Sequence, residues 1–158
     1  MNDETLTCSF TVDQTPEAVF AAITNVRGWW SGNIEGPTDE LGGEFTYRYK
    51  DMHYSKQRVT ALVPRERVVW QVIDSHLAFV DDKTEWTGTE IRFDIGRKGG
   101  LTEVRFEHVG LRPAHACFEQ CSNAWSGYVT GSLRKLIADG TGTPDPEEKP
   151  RATCSAGA

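Results

Sequence analysis

The feature that most constrains this fold is a change of hydrophobic period late in the chain. "TGTEIRFDI" places Thr89, Ile91, Phe93 and Ile95 on one side and Glu90, Arg92 and Asp94 on the other. The glycine-bearing turn "GRKGG" leads into "LTEVRFEHV", where Val104, Phe106 and His108 alternate with Glu103, Arg105 and Glu107. A period of two gives each strand one core face and one wet face. From His115 to about Asp139 the period becomes helical. Phe118, Cys121, Trp125, Val129, Ser132 and Leu136 fall on one stripe, flanked by Tyr128 and Leu133. A long one-sided helix following one-sided strands buries its stripe against the sheet.

The earlier chain supplies the rest of that sheet. "TLTCSFTV" alternates strictly, with Leu6, Cys8, Phe10 and Val12 opposite Thr5, Thr7, Ser9 and Thr11. "QTPEAVFAAITN" is helical: Thr15 suits the N-cap, Pro16 the first helical position and Glu17 the positive end. Val19, Phe20 and Ile23 form its buried stripe, which fades near Asn25 and Gly28. "GEFTYRY" puts Phe45, Tyr47 and Tyr49 on one face. "YSKQRVTALV" stops at Pro64 and "PRER", and "RVVWQVI" returns as a hairpin. Such a series predicts an antiparallel meander with one solvated face.

The expected class is α+β: a curved antiparallel sheet wrapped around a long C-terminal helix, with two short helices after the first strand. Gly140 stops the long helix. Beyond it "TGTPDPEEKPRATCSAGA" is aperiodic and rich in Pro, Gly and charge. One domain over residues 1–141 and a disordered tail over 142–158 are therefore expected.

Charge and motif content narrow the function. Lys plus Arg number 17 against 23 Asp plus Glu, a net charge of −6, which argues against a nucleic-acid partner. No apolar run approaches the roughly 20 residues that span a bilayer, so no membrane partner is expected. "MNDETLTCSF" has neither a basic nor an apolar leader region and reads as cytoplasmic. Cys8, Cys117, Cys121 and Cys154 are accordingly expected as reduced thiols. Cys117 and Cys121 do not form a CxxC pair, and His53, His76, His108 and His115 lack metal-ligand spacing. No metal and no cofactor is expected. "GRKGG" leads into a strand, not a helix, and so does not make a phosphate loop.

Several stretches together carry a resemblance. They are "TPEAVFAAIT", then "WW" ahead of "GGEFTYRY", then "VPRERVVWQV". "TEWTGTEIRFDI" follows, with "LTEVRFEHVGL" ending in His108, Gly110 and Leu111, and finally "WSGYVTGSLRKLIADG". In order and spacing the chain resembles the START-like (SRPBCC, Bet v 1-like) superfamily, and within it the activator of Hsp90 ATPase homologue 1-like (AHSA1-like) family, from about Leu6 to Gly140. The resemblance implies a helix-grip fold with a cavity under the long helix. It also implies a functional range that spans lipid and hormone binders, polyketide cyclases and aromatases, and chaperone activators.

Within that range, the expectation is a binding protein for a hydrophobic, aromatic or lipid-like small molecule. Trp30, Phe45, Tyr47, Tyr54, Trp70, Phe93, Phe106, His108, Trp125 and Tyr128 are the expected lining. Aromatic rings supply area, while hydroxyls and His108 supply the few polar contacts. One alternative is a co-chaperone-like interaction module with a chaperone partner. Another is a cyclase- or aromatase-like enzyme, with His108 as the candidate proton carrier. His108 reads more readily as a structural histidine bonded to a nearby backbone carbonyl. Trp29 and Trp30 either cap the short helix, touch a ligand or face another protein. Arg58 either anchors an acidic ligand or faces solvent. Monomer and homodimer are both open.

Overall fold

The computed structural model describes residues 5–49, 53–78, 84, 86–110, 118–142 and 155–157. β1 (Thr5–Val12) runs into α1 (Pro16–Thr24) and the one-turn α2 (Val26–Trp29). A short β2 (Ile34–Glu35) precedes β3 (Glu44–Tyr49), β4 (His53–Val63), β5 (Arg67–Leu77), β6 (Glu90–Lys98) and β7 (Leu101–Val109). These strands and a terminal β8 (Ser155–Gly157) form one sheet in the order β2-β3-β4-β5-β6-β7-β1-β8. The expected meander is present, and β1 closes against β7 in the register Leu6↔His108, Cys8↔Phe106, Phe10↔Val104.

Local chemistry sets the ends of α1. Thr15 is extended (φ −75, ψ 158) and its side chain accepts from the N–H of Ala18 at 3.2 Å, while Pro16 opens the helix. Val19, Ala22 and Ile23 are buried, and Phe20 packs at the core's margin. Curvature comes from β4 and β5, whose pairing shifts register between Lys56 and Gln57 and again between Val59 and Ala61. An extra residue on one strand bends it and increases its twist.

The terminal helix departs from its expected phase. α3 (Phe118–Trp125) continues as a π-helical stretch over Ser126–Leu133 and then as α4 (Arg134–Asp139). Widening the turn to i→i+5 bonding rotates everything downstream. The buried positions run Ser122, Trp125, Ser126, Val129, Ser132, Leu133 and, beyond the π-helical stretch, Ile137, and Leu136 is only partly buried. Tyr128 and Trp125 keep their places; Ile137 takes the one expected for Leu136. Gly140 ends the helix in the left-handed region (φ 84), its N–H donating to the Leu136 carbonyl at 2.9 Å. The expected start at His115 and the side chains of Phe118 and Cys121 lie outside the described residues.

Most of the expected tail, residues 143–154 and 158, lies outside the described residues. Ser155–Gly157 extends the sheet as β8, pairing Leu6↔Ala156 and Thr7↔Ser155. Three small residues carry no hydrophobic period, so only backbone pairing places them. Cys8 is disulfide-bonded rather than reduced, its partner lying outside the described side chains. Among the described residues no helix is long and apolar enough to cross a membrane.

Candidate functional site: an aromatic interior with buried polar groups

The buried core lies between the sheet's inner face and the terminal helix. All five tryptophans of the chain are buried within it. Trp29, Trp30 and Trp70 stack with ring centroids 6.0–6.4 Å apart. Trp86 stacks on Trp125 at 5.7 Å, and Trp30 joins the two groups by lying 5.0 Å from Trp125. These are offset and tilted aromatic contacts of ordinary favourable geometry. Phe45, Phe93 and Phe106 close the cluster from the sheet.

The adjacent pair Trp29 and Trp30 therefore belongs to the core, with neither ring facing outward. Trp29 ends α2 and its indole N–H donates to the Ile23 carbonyl at 3.1 Å. Ser132 of the terminal helix donates to the Trp29 carbonyl at 2.7 Å, tying helix to loop. Gly28 makes this approach possible, because a side chain there would meet Asn25 at 2.6 Å and Leu136 at 3.2 Å.

His108 is fully buried and engaged at both ring nitrogens. The Trp125 indole, which only donates, gives its N–H to Nδ1 at 3.0 Å. Nδ1 must carry the lone pair, so in the neutral ring the proton sits on Nε2 and is donated to Thr89 Oγ1 at 2.8 Å. Thr89 in turn donates to the Trp86 carbonyl at 2.5 Å. The chain Trp125–His108–Thr89–Trp86 locks the helix, β7 and the turn before β6 into one unit. Gly110 (φ 100) is part of it, since a Cβ there would lie 3.0 Å from Thr89 Cγ2.

β4 holds the unexpected part of the site. Its inward, buried positions are Ser55, Gln57 and Val59, so Tyr54 and Arg58 lie on the opposite face. Tyr54 is corrected from lining to outer surface, where the Arg48 guanidinium lies 4.7 Å from its ring centroid. Arg58 is solvent-facing and pairs with Glu44 at 2.7 Å, which holds that carboxyl below its ordinary pKa. The inner polar atoms Ser55 Oγ, Gln57 Oε1 and Nε2, Trp70 Nε1, Trp86 Nε1 and Ser122 Oγ are buried without a hydrogen-bond partner in the protein. Such atoms are rare, because each costs roughly 1–3 kcal/mol unpaired.

Polar inner residues make β4 look inverted, which is why sequence periodicity missed Ser55 and Gln57. Trp86 was missed because it sits in a turn. That turn is fastened by Val72 N–H to Thr89 carbonyl at 2.9 Å and Gly88 N–H to Val72 carbonyl at 2.8 Å. Of the expected lining, Trp30, Phe45, Tyr47, Trp70, Phe93, Phe106, His108 and Trp125 are buried together, with Tyr128 at the edge. The Tyr47 and Tyr128 hydroxyls meet at 3.3 Å across the gap between sheet and helix. His53 packs 5.0 Å from Tyr47 and 4.5 Å from Trp86, and burial pushes its pKa down from 6.5 to about 3.

A curved antiparallel sheet gripping a terminal helix over this interior defines a helix-grip, START-like protein. The family model described as "Activator of Hsp90 ATPase homolog 1-like protein" matches residues 13–138, and the chain belongs to that family. The solution structure of the Aha1 dimer from Colwellia psychrerythraea is similar, with TM-score 0.69 and 24% identity over 87% of this chain and 98% of that one. Protein MLL2253 from Mesorhizobium loti matches with TM-score 0.67 and 17% identity, over 88% and 99% of the two chains. DynU16, from the dynemicin biosynthetic locus, matches with TM-score 0.62 and 15% identity over 90% of this chain and 49% of its own. Comparison with curated protein sequences finds no match.

Proposed function

We propose that this protein binds a small hydrophobic, aromatic molecule between its sheet and its C-terminal helix. The observation that carries the reading is Gln57, fully buried with both amide atoms unpartnered between Phe45 and Val72 on the sheet's inner face. A guest that pairs with this amide removes a standing cost of burial. The π-helical stretch that begins just after Trp125 and contains Tyr128 also supports the reading, since such local widenings recur at functional sites.

Two observations favour binding over the alternatives. His108 has both nitrogens committed to protein partners, so binding is preferred to a proton-carrying role. The exposed large hydrophobics among the described residues, Leu41, Tyr49 and Val63, occupy separate places: a loop, the end of β3 and the end of β4. A chaperone-docking face calls for a contiguous apolar patch.

Native mass spectrometry with a panel of naphthalene-sized and sterol-sized probes tests the proposal. A saturable one-to-one complex is expected, lost when the interior is filled by Ser55→Leu. Absence of any one-to-one complex, or binding indifferent to Ser55→Leu, contradicts it.

A further inference from the structure

Two of the residues with unpartnered groups, Ser55 and Gln57, lie in a row along the inner side of β4, with Trp70 on the neighbouring β5 and Trp86 in the turn before β6. His53 packs against Trp86 at one end, and Val59 is in register with Trp70 at the other. Between them Ser55 is flanked by Tyr47 and Ser75, and Gln57 by Phe45 and Val72. Alternate residues on one strand face stand roughly 7 Å apart. A single flat molecule lying along the strand therefore spans more than one of these groups.

Their chemistry is unequal. The Gln57 Nε2 amide, Trp70 Nε1 and Trp86 Nε1 are donors, Gln57 Oε1 is an acceptor, and Ser55 Oγ acts either way. Donors predominate, so the complementary guest is rich in acceptors. The side-by-side donor and acceptor of Gln57 also match a carbonyl oxygen with a neighbouring N–H or O–H. Among the described residues no buried side chain is a Lys, Arg, Asp or Glu. An ionised carboxylate would lose its hydration there with no countercharge to replace it.

Resting on the small-molecule reading above, we propose that the guest is an uncharged aromatic carbonyl compound. At least one carbonyl lies beside an N–H or O–H that pairs with Gln57. Fatty-acid anions and plain hydrocarbons are the excluded classes.

Four naphthalenes of one shape test this by calorimetry on the wild-type protein: 2-naphthamide, 2-acetylnaphthalene, 2-isopropylnaphthalene and 2-naphthoate. The amide is expected to bind most tightly, the ketone next, and the isopropyl compound and the carboxylate on the order of ten- to a hundred-fold more weakly than the amide. In Gln57→Leu, with folding checked by circular dichroism, the preference for the amide over the isopropyl compound should disappear. Gln57→Met serves as a second variant. Equal binding of amide and isopropyl compound to the wild type overturns the carbonyl assignment and leaves small-molecule binding standing. Tightest binding of the naphthoate overturns the neutral class. Failure of all four probes to bind overturns the assignment, and when the wider panel also fails it removes the small-molecule reading with it.

Discussion

The indole N–H of Trp125 donates to Nδ1 of His108 at 3.0 Å, fastening the terminal helix to β7 through two fully buried rings. Ring packing and hydrogen bonding are separable here. Trp125→Phe keeps an aromatic ring and leaves Nδ1 without its donor, and should cost about 1–3 kcal/mol. Trp125→Ala also opens a cavity and should cost about 3–5 kcal/mol. Urea unfolding of both variants gives the comparison; a Trp125→Phe protein as stable as the wild type would mean that the hydrogen bond contributes nothing beyond packing.

The buried ring of His53 makes stability depend on pH. Its pKa falls from 6.5 to about 3 because burial disfavours the charged ring. Between those values the unfolded chain takes up a proton that the folded chain refuses, so the contribution is intact above about pH 6.5 and is lost as pH falls below it. Moving from about pH 7 to about pH 5 should cost the wild type about 2 kcal/mol more than His53→Phe. Parallel unfolding curves for the two proteins over that range would show that the ring accepts its proton while folded.

The π-helical stretch sets which residues of the last turns hold the helix down. Ile137→Ala should cost about 2–4 kcal/mol, as for a buried aliphatic, and Leu136→Ala less than half of that. Thermal unfolding that ranks Leu136 above Ile137 would place the helix in unbroken α-helical phase instead.

How much of this was legible follows from where the signals come from. β1, β6 and β7 were readable because Leu6–Val12, Ile91–Ile95 and Val104–His108 alternate apolar with polar and have one wet face. Thr15, Pro16 and Gly140 marked helix ends by their own backbone chemistry. β4 was not readable in facing, because Ser55 and Gln57 are polar residues turned inward and Tyr54 is an aromatic turned outward. The shift from Leu136 to Ile137 escaped because no single residue announces a π-helical turn. The disulfide at Cys8 escaped because the expectation of a reducing compartment makes all four cysteines reduced thiols. The aromatic half of the candidate site was thus visible, and the polar half, which carries the proposed recognition, was hidden.

The five indole N–H resonances provide the most direct test of binding within this interior. Trp29 donates to Ile23 and Trp125 to His108, while Trp70 and Trp86 have no acceptor in the protein. In a ¹H–¹⁵N correlation spectrum, titration with 2-naphthamide is expected to shift the Trp70 and Trp86 indole signals and the Gln57 side-chain amide. The Trp29 and Trp125 signals, already bonded, should move least. Saturable shifts confined to other residues, with Trp70, Trp86 and Gln57 unmoved, would contradict a guest in the sheet–helix interior.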